Sequence, residues 1–171
     1  MHALRISAAA ACGLLAVACA HGGTNAERAV VPVAADVKIT VDEAGAYSFA
    51  YNGPFFDEKG NFDFSQKGAV TNTIKLTFTI ADGSVPGITF KPVAEDAMWI
   101  VEKKHVDEAT GSPRGPYRGG QFEGFEVSGD RQQFMVVDNN NDGVLYRYGL
   151  RFDLDGETVI DDPDGQNGGH N

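Results

Sequence analysis

Val37, Ile39 and Val41 alternate with Lys38, Thr40 and Asp42. A period of two puts one face of a strand against a core and the other in water. Glu43-Ala44-Gly45 supplies a turn, after which Tyr47, Phe49 and Tyr51 alternate with Ala46, Ser48 and Ala50, so the pair predicts a hairpin. The same pattern returns in Thr73 to Ile80, with Ile74, Leu76, Phe78 and Ile80 facing in. Further strands are expected over Ile88 to Val93, Ala97 to Glu102, Phe122 to Val127 and Gln133 to Val137, punctuated by Asp82-Gly83, Pro86-Gly87 and Ser128-Gly129-Asp130. The strongest strand holds Val144, Tyr146, Tyr148, Leu150, Phe152 and Leu154 at successive alternate positions, with Arg147 and Arg151 opposite, and its length predicts a central place in a sheet. No apolar stripe of helical period follows residue 35. The expectation is an all-β chain, an antiparallel β-sandwich.

Two stretches do not alternate. Residues 53–69 carry Phe55, Phe56, Phe62 and Phe64, more aromatic surface than an exposed loop usually shows. They are expected to plug one end of the core or form a short extra hairpin, with a binding patch as the sharper alternative. Residues 107–120 hold four glycines and two prolines and read as a loop.

The first residues change the picture from fold to destination. Arg5 precedes an apolar run from Ile6 to Ala18 that is too short to span a bilayer, followed by small residues, which is the export pattern. Two cleavage readings compete. Leu15-Ala16-Val17-Ala18-Cys19 looks like a bacterial lipobox, in which Cys19 is lipidated and becomes the first mature residue; Ala18-Cys19-Ala20 is also a small-x-small site, with the mature chain starting at His21. The expected organisation is a signal peptide over 1–18, a tether over 19–35, a sandwich over 36–160 and a polar tail over 161–171. The expected location is the bacterial envelope: a membrane lipoprotein facing the periplasm, or a soluble periplasmic or secreted domain if cleavage falls before His21.

The chain has 171 residues, 42% of them hydrophobic, and a formal net charge of −10. That suits one packed domain, and it argues against nucleic acid and against anionic membrane surfaces as partners. Membrane contact is expected only through a lipid anchor. Cys12 and Cys19 are the only cysteines, so the domain has no disulfide, thiolate nucleophile or cysteine metal ligand.

Several constellations bear on chemistry. Asp138-Asn139-Asn140-Asn141-Asp142-Gly143 places oxygen side chains at positions 1, 3 and 5 and glycine at 6, like the first half of a calcium loop, but position 12 is Gly149 rather than a bidentate Glu. Asp138, Asn140 and Asp142 are therefore candidate calcium ligands, and the competing reading is a plain hairpin connection; no other cofactor is expected. His105 is the only histidine outside the signal and the chain ends, and no serine lies in a G-x-S-x-G elbow. His105 reads as a surface residue at a strand end, and a hydrolase built on it and carboxylates is the least favoured alternative. Arg114, Tyr117 and Arg118 are a candidate loop for gripping an anionic or sugar ligand, set against a merely solvated loop. Trp99 is expected in the core rather than on a carbohydrate platform.

Phe134 to Asp138, the Asp/Asn loop, Val144-Leu145-Tyr146-Arg147-Tyr148-Gly149-Leu150 and Asp162-Pro163-Asp164-Gly165-Gln166-Asn167-Gly168 together resemble the small bacterial DP-EP proteins. The resemblance covers residues 130–168; no Glu-Pro dipeptide occurs, and Lys91-Pro92 stands as its nearest counterpart. It implies an immunoglobulin-like sandwich, in keeping with the seven to eight strands that the alternation and turn signals predict, and a tail in which Asp162-Pro163 sets a turn and Asn167 satisfies nearby backbone. It implies no activity. The functional expectation is a non-catalytic envelope module that binds an envelope protein or a glycan, or serves structurally. The alternatives are a calcium-stabilised module and the hydrolase above.

Overall fold

In the computed structural model, residues 29–65 and 72–168 are described. Cys19, the segment read as a signal peptide, the stretch read as a tether up to residue 28 and His170 lie outside them. The chain is all-β and forms two facing sheets. The first has the order β2 (Tyr47–Asn52), β1 (Val30–Val41), β4 (Thr73–Ile80), β8 (Gln133–Asp138), β7 (Phe122–Val127). The second is built on β9 (Leu145–Leu154). One edge of β9 pairs with β10 (Glu157–Asp161) and β11 (Asp164–Gln166), the other with β5 (Thr89–Phe90) and β6 (Met98–Glu102), and β3 (Phe62–Asp63) adds to β11.

The alternation works as read. Val37, Ile39, Ile74, Leu76, Phe78, Phe134 and Val136 from one sheet meet Phe90, Ile100, Tyr148, Leu150 and Phe152 from the other, all buried. β1 and β2 form the expected hairpin, with Val37 opposite Tyr51, and β9 is central, paired along both edges.

Several expectations are corrected. The sheets are mixed rather than purely antiparallel: β1 runs parallel to β4, and β11 parallel to β3. The β1–β2 hairpin explains the first pair: it turns the chain back, so β4, entering beside β1 from the end where β2 finishes, runs parallel to β1. Among the described residues eleven strands form rather than seven or eight, the additions being short or at the ends. The second sheet's edge is also interrupted by a single helical turn, α1 (Ala94–Ala97), between β5 and β6. β1 begins at Val30, inside the stretch read as tether. Small residues and Pro32 hid its pattern, and proline is tolerated because β2 does not reach this part of β1. Trp99 is not in the core: it is partly exposed, with the Arg151 guanidinium 3.7 Å above its ring.

The tail is likewise part of the sheet. β10 and β11 share one register against β9, with Asp161 opposite Leu150 and Asp164 opposite Arg147, so residues 145–166 form one long hairpin interrupted at Asp162-Pro163. The Pro163 carbonyl there accepts from the Tyr148 N–H at 2.9 Å. Gly165 lies against the Phe62 ring, and a Cβ on it would fall 2.1 Å from a ring carbon. Gly165→Ala is therefore expected to lower stability by about 1–3 kcal/mol through overpacking, read from chemical denaturation at an unchanged m-value. A change below half a kcal/mol would mean that Phe62 yields freely.

The phenylalanine-rich connection forms a short extra hairpin. Phe56 bridges Phe62, and Phe62 and Phe64 are buried and stacked at 4.5 Å. Phe55 alone of the four is exposed, at 37%.

Candidate functional site

Beyond β6 the chain makes a 3-10 turn (Lys103–His105) and enters the glycine- and proline-rich loop. Asp107 organises this loop. Its carboxylate accepts from the backbone N–H groups of Ala109 and Thr110 at 2.9 Å each, and it is ion-paired with Arg114. The Thr110 bond first, and then Arg114, hold its pKa below the usual carboxylate value. The loop thus curls back to wall an open groove of about 640 Å³, lined by Glu102, His105, Arg114, Tyr117, Arg118 and Tyr146, among others. The three candidate ligand residues Arg114, Tyr117 and Arg118 are brought together here. His105 joins them, exposed just past the end of β6, where the sequence placed it. Glu102 pairs with Lys104 at 2.6 Å. Among the described residues the lining contains no serine, threonine or cysteine.

Behind the two tyrosines lies a buried polar network. The Tyr117 hydroxyl accepts from the Gln121 N–H at 2.9 Å, and the Gln121 side-chain amide donates to Asp138 at 3.0 Å. The Tyr146 hydroxyl donates to Asp142 at 2.7 Å. Asn167 joins the two acids, its amide N–H₂ donating to Asp138 at 3.1 Å and to Asp142 at 3.2 Å. Asn140, at positive φ, accepts from the Gly168 N–H at 2.5 Å. The candidate calcium ligands Asp138, Asn140 and Asp142 therefore all accept hydrogen bonds from protein donors and clasp the tail. Among the described residues no group of three or more His, Cys, Asp or Glu is placed to hold a metal ion.

Asp138 Oδ2 and Asn167 Oδ1 are buried without a hydrogen-bond partner among the described residues. Burial raises the Asp138 carboxyl to about 7, against the opposing pull of its hydrogen bonds from Asn140 and Gln121, and nearby Asp142 adds to the rise. No salt bridge reaches Asp138 or Asp142 among the described residues. Burial, aided by the bond to Asp142, also pushes the Tyr146 phenol far above its ordinary value, so it stays a neutral donor.

The tail residues Asp162, Pro163 and Asn167 depart from the roles expected of them. Asp162 accepts from the Ser112 hydroxyl at 2.5 Å; Asp162-Pro163 is an extended interruption of one continuous register rather than a turn, and the Asn167 side chain donates to the Asp138 and Asp142 carboxylates rather than satisfying backbone. Sequence reasoning did not find Glu102, Gln121 or Tyr146 as site residues. Tyr146 read only as a core position of β9, and nothing set Glu102 apart among 24 acidic residues. No protein-family model matches the chain, and neither does any curated protein.

Proposed function

We propose that the protein is an exported, lipid-anchored, non-catalytic module of the bacterial envelope that binds an envelope component through the groove beside residues 102–119. The observation that carries this reading is the groove itself. Its volume lies within the range of about 300–1,000 Å³ usual for ligand sites, and it combines aromatic rings with cationic donors. Both tyrosines are held from behind by hydrogen bonds, so the wall is preorganised rather than formed on binding. The export pattern of residues 1–20 supplies the compartment, and Cys19 the anchor.

Two measurements test it. The intact mass of processed protein from a membrane fraction is expected to be that of a chain beginning at acylated Cys19; an unmodified soluble chain beginning at His21 would remove the anchor. Retention of unacylated protein on sedimented envelope fragments is expected to fall by about tenfold for Arg118→Ala, the loss of one charge-assisted hydrogen bond, with the melting temperature unchanged. Equal retention would remove the groove from the function.

A further inference from the structure

Resting on that reading, we infer that the groove takes a short glycan bearing carboxylate groups. Three observations converge on this class. First, the hydroxyls of Tyr117 and Tyr146 are engaged on the buried network, and each ring packs edge-on against Phe122, at 5.3 and 5.0 Å. Tyr146 is itself buried and backs the wall, while the half-buried Tyr117, its polar end occupied, offers the groove fixed ring carbon, a surface for the apolar face of a sugar ring.

Second, the charges lining the groove do not cancel. Arg114 is ion-paired with Asp107, and Glu102 with Lys104. Arg118 and His105 have no ion-pair partner among the described residues, so two donors suited to an anion stand free beside the aromatic wall. A guanidinium matches a carboxylate with two parallel N–H donors. On a chain of net charge −10 this local excess of donors is a specific feature rather than a general attraction to anions. Asp142, behind the rings, has its oxygens occupied by Val144 N–H, the Tyr146 hydroxyl and the Asn167 amide.

Third, the size suits a short glycan: an open trough of about 640 Å³ lies within the range usual for small-ligand sites.

The test is calorimetric titration of the full processed chain with three probes: a trimer of hexuronic acid, a neutral hexose trimer of the same length, and a triglutamate peptide. The uronate trimer is expected to bind at least tenfold more tightly than the other two, to weaken as salt rises, and to lose about tenfold or more in affinity with Arg118→Ala. Tyr117→Phe removes the hydroxyl that anchors the ring and keeps the ring itself; it is expected to weaken the neutral and acidic trimers alike. Neutral and acidic trimers binding equally, or Arg118→Ala leaving the uronate affinity unchanged, would overturn the acidic-glycan assignment. Preference for triglutamate would overturn it in favour of a protein ligand. If none of the three binds while Arg118→Ala still reduces retention on envelope fragments, the glycan assignment fails and the groove reading survives; if retention is also unaffected, both fail.

Discussion

Replacing Phe78 by alanine is expected to cost about 3–5 kcal/mol of stability, the range for truncating a fully buried phenylalanine. Phe78 lies on β4, in the middle of the first sheet, with no exposed surface. Its ring meets Phe56 edge-on at 5.6 Å, Phe134 at 6.3 Å and Tyr148 of the opposite sheet at 6.0 Å. Truncation therefore opens a cavity where the two sheets and the phenylalanine-rich hairpin meet. Its neighbours cannot collapse into that space without moving Tyr148, whose hydroxyl donates to the Gly60 carbonyl at 2.5 Å. Denaturant unfolding checks this, with a fall in melting temperature on the order of 10 °C. A loss below 1 kcal/mol would mean that the sheets do not pack through this residue.

The second large effect is a dependence on pH. Asp138 has a native pKa of about 7 against an ordinary 3.8. Between those values the folded chain keeps a proton that the unfolded chain has released. This contribution is fully present below pH 4 and is lost as pH rises through 7. The interval corresponds to about 2–4 kcal/mol. The expected structural partner of the proton is Asn167: its amide already donates to one Asp138 oxygen, while the other Asp138 oxygen and its own carbonyl have no hydrogen-bond partner among the described residues. Asp138→Asn carries an amide in place of the protonated acid. Relative to wild type, its stability is expected to improve by about that 2–4 kcal/mol between pH 4 and pH 8. Taking the difference cancels other groups such as Asp161, whose pKa burial also raises. A difference that stays flat across that range would show that Asp138 is ionised throughout.

How much of this was legible in the sequence follows from the range of each signal. β1, β4 and β9 were readable because alternation is local, and a half-buried strand writes its burial into every second residue. The parallel pairing of β1 with β4 was not, since register between distant segments leaves no mark in either. β11 is three residues long and polar. It is held by backbone pairing to β9 and by glycine meeting Phe62, so its sequence reads as a tail. Trp99 misled because burial was assigned by residue type, while its ring is covered by an arginine from the same sheet. In the site, Arg114, Tyr117 and Arg118 were visible as chemistry because they interrupt a glycine-rich loop. The Asp138–Asp142 spacing was visible too, but its partners Gln121 and Asn167 come from other parts of the chain. Only the fold reveals that these oxygens face protein donors.

The proposed binding surface is the groove lined by His105, Tyr117 and Arg118. The most direct measurement is backbone and side-chain NMR of the processed protein during titration with the hexuronate trimer. Shifts are expected to concentrate on His105, Tyr117, Arg118 and Tyr146 and to saturate together. Shifts confined to another face, such as the exposed edge near Phe55, would contradict it.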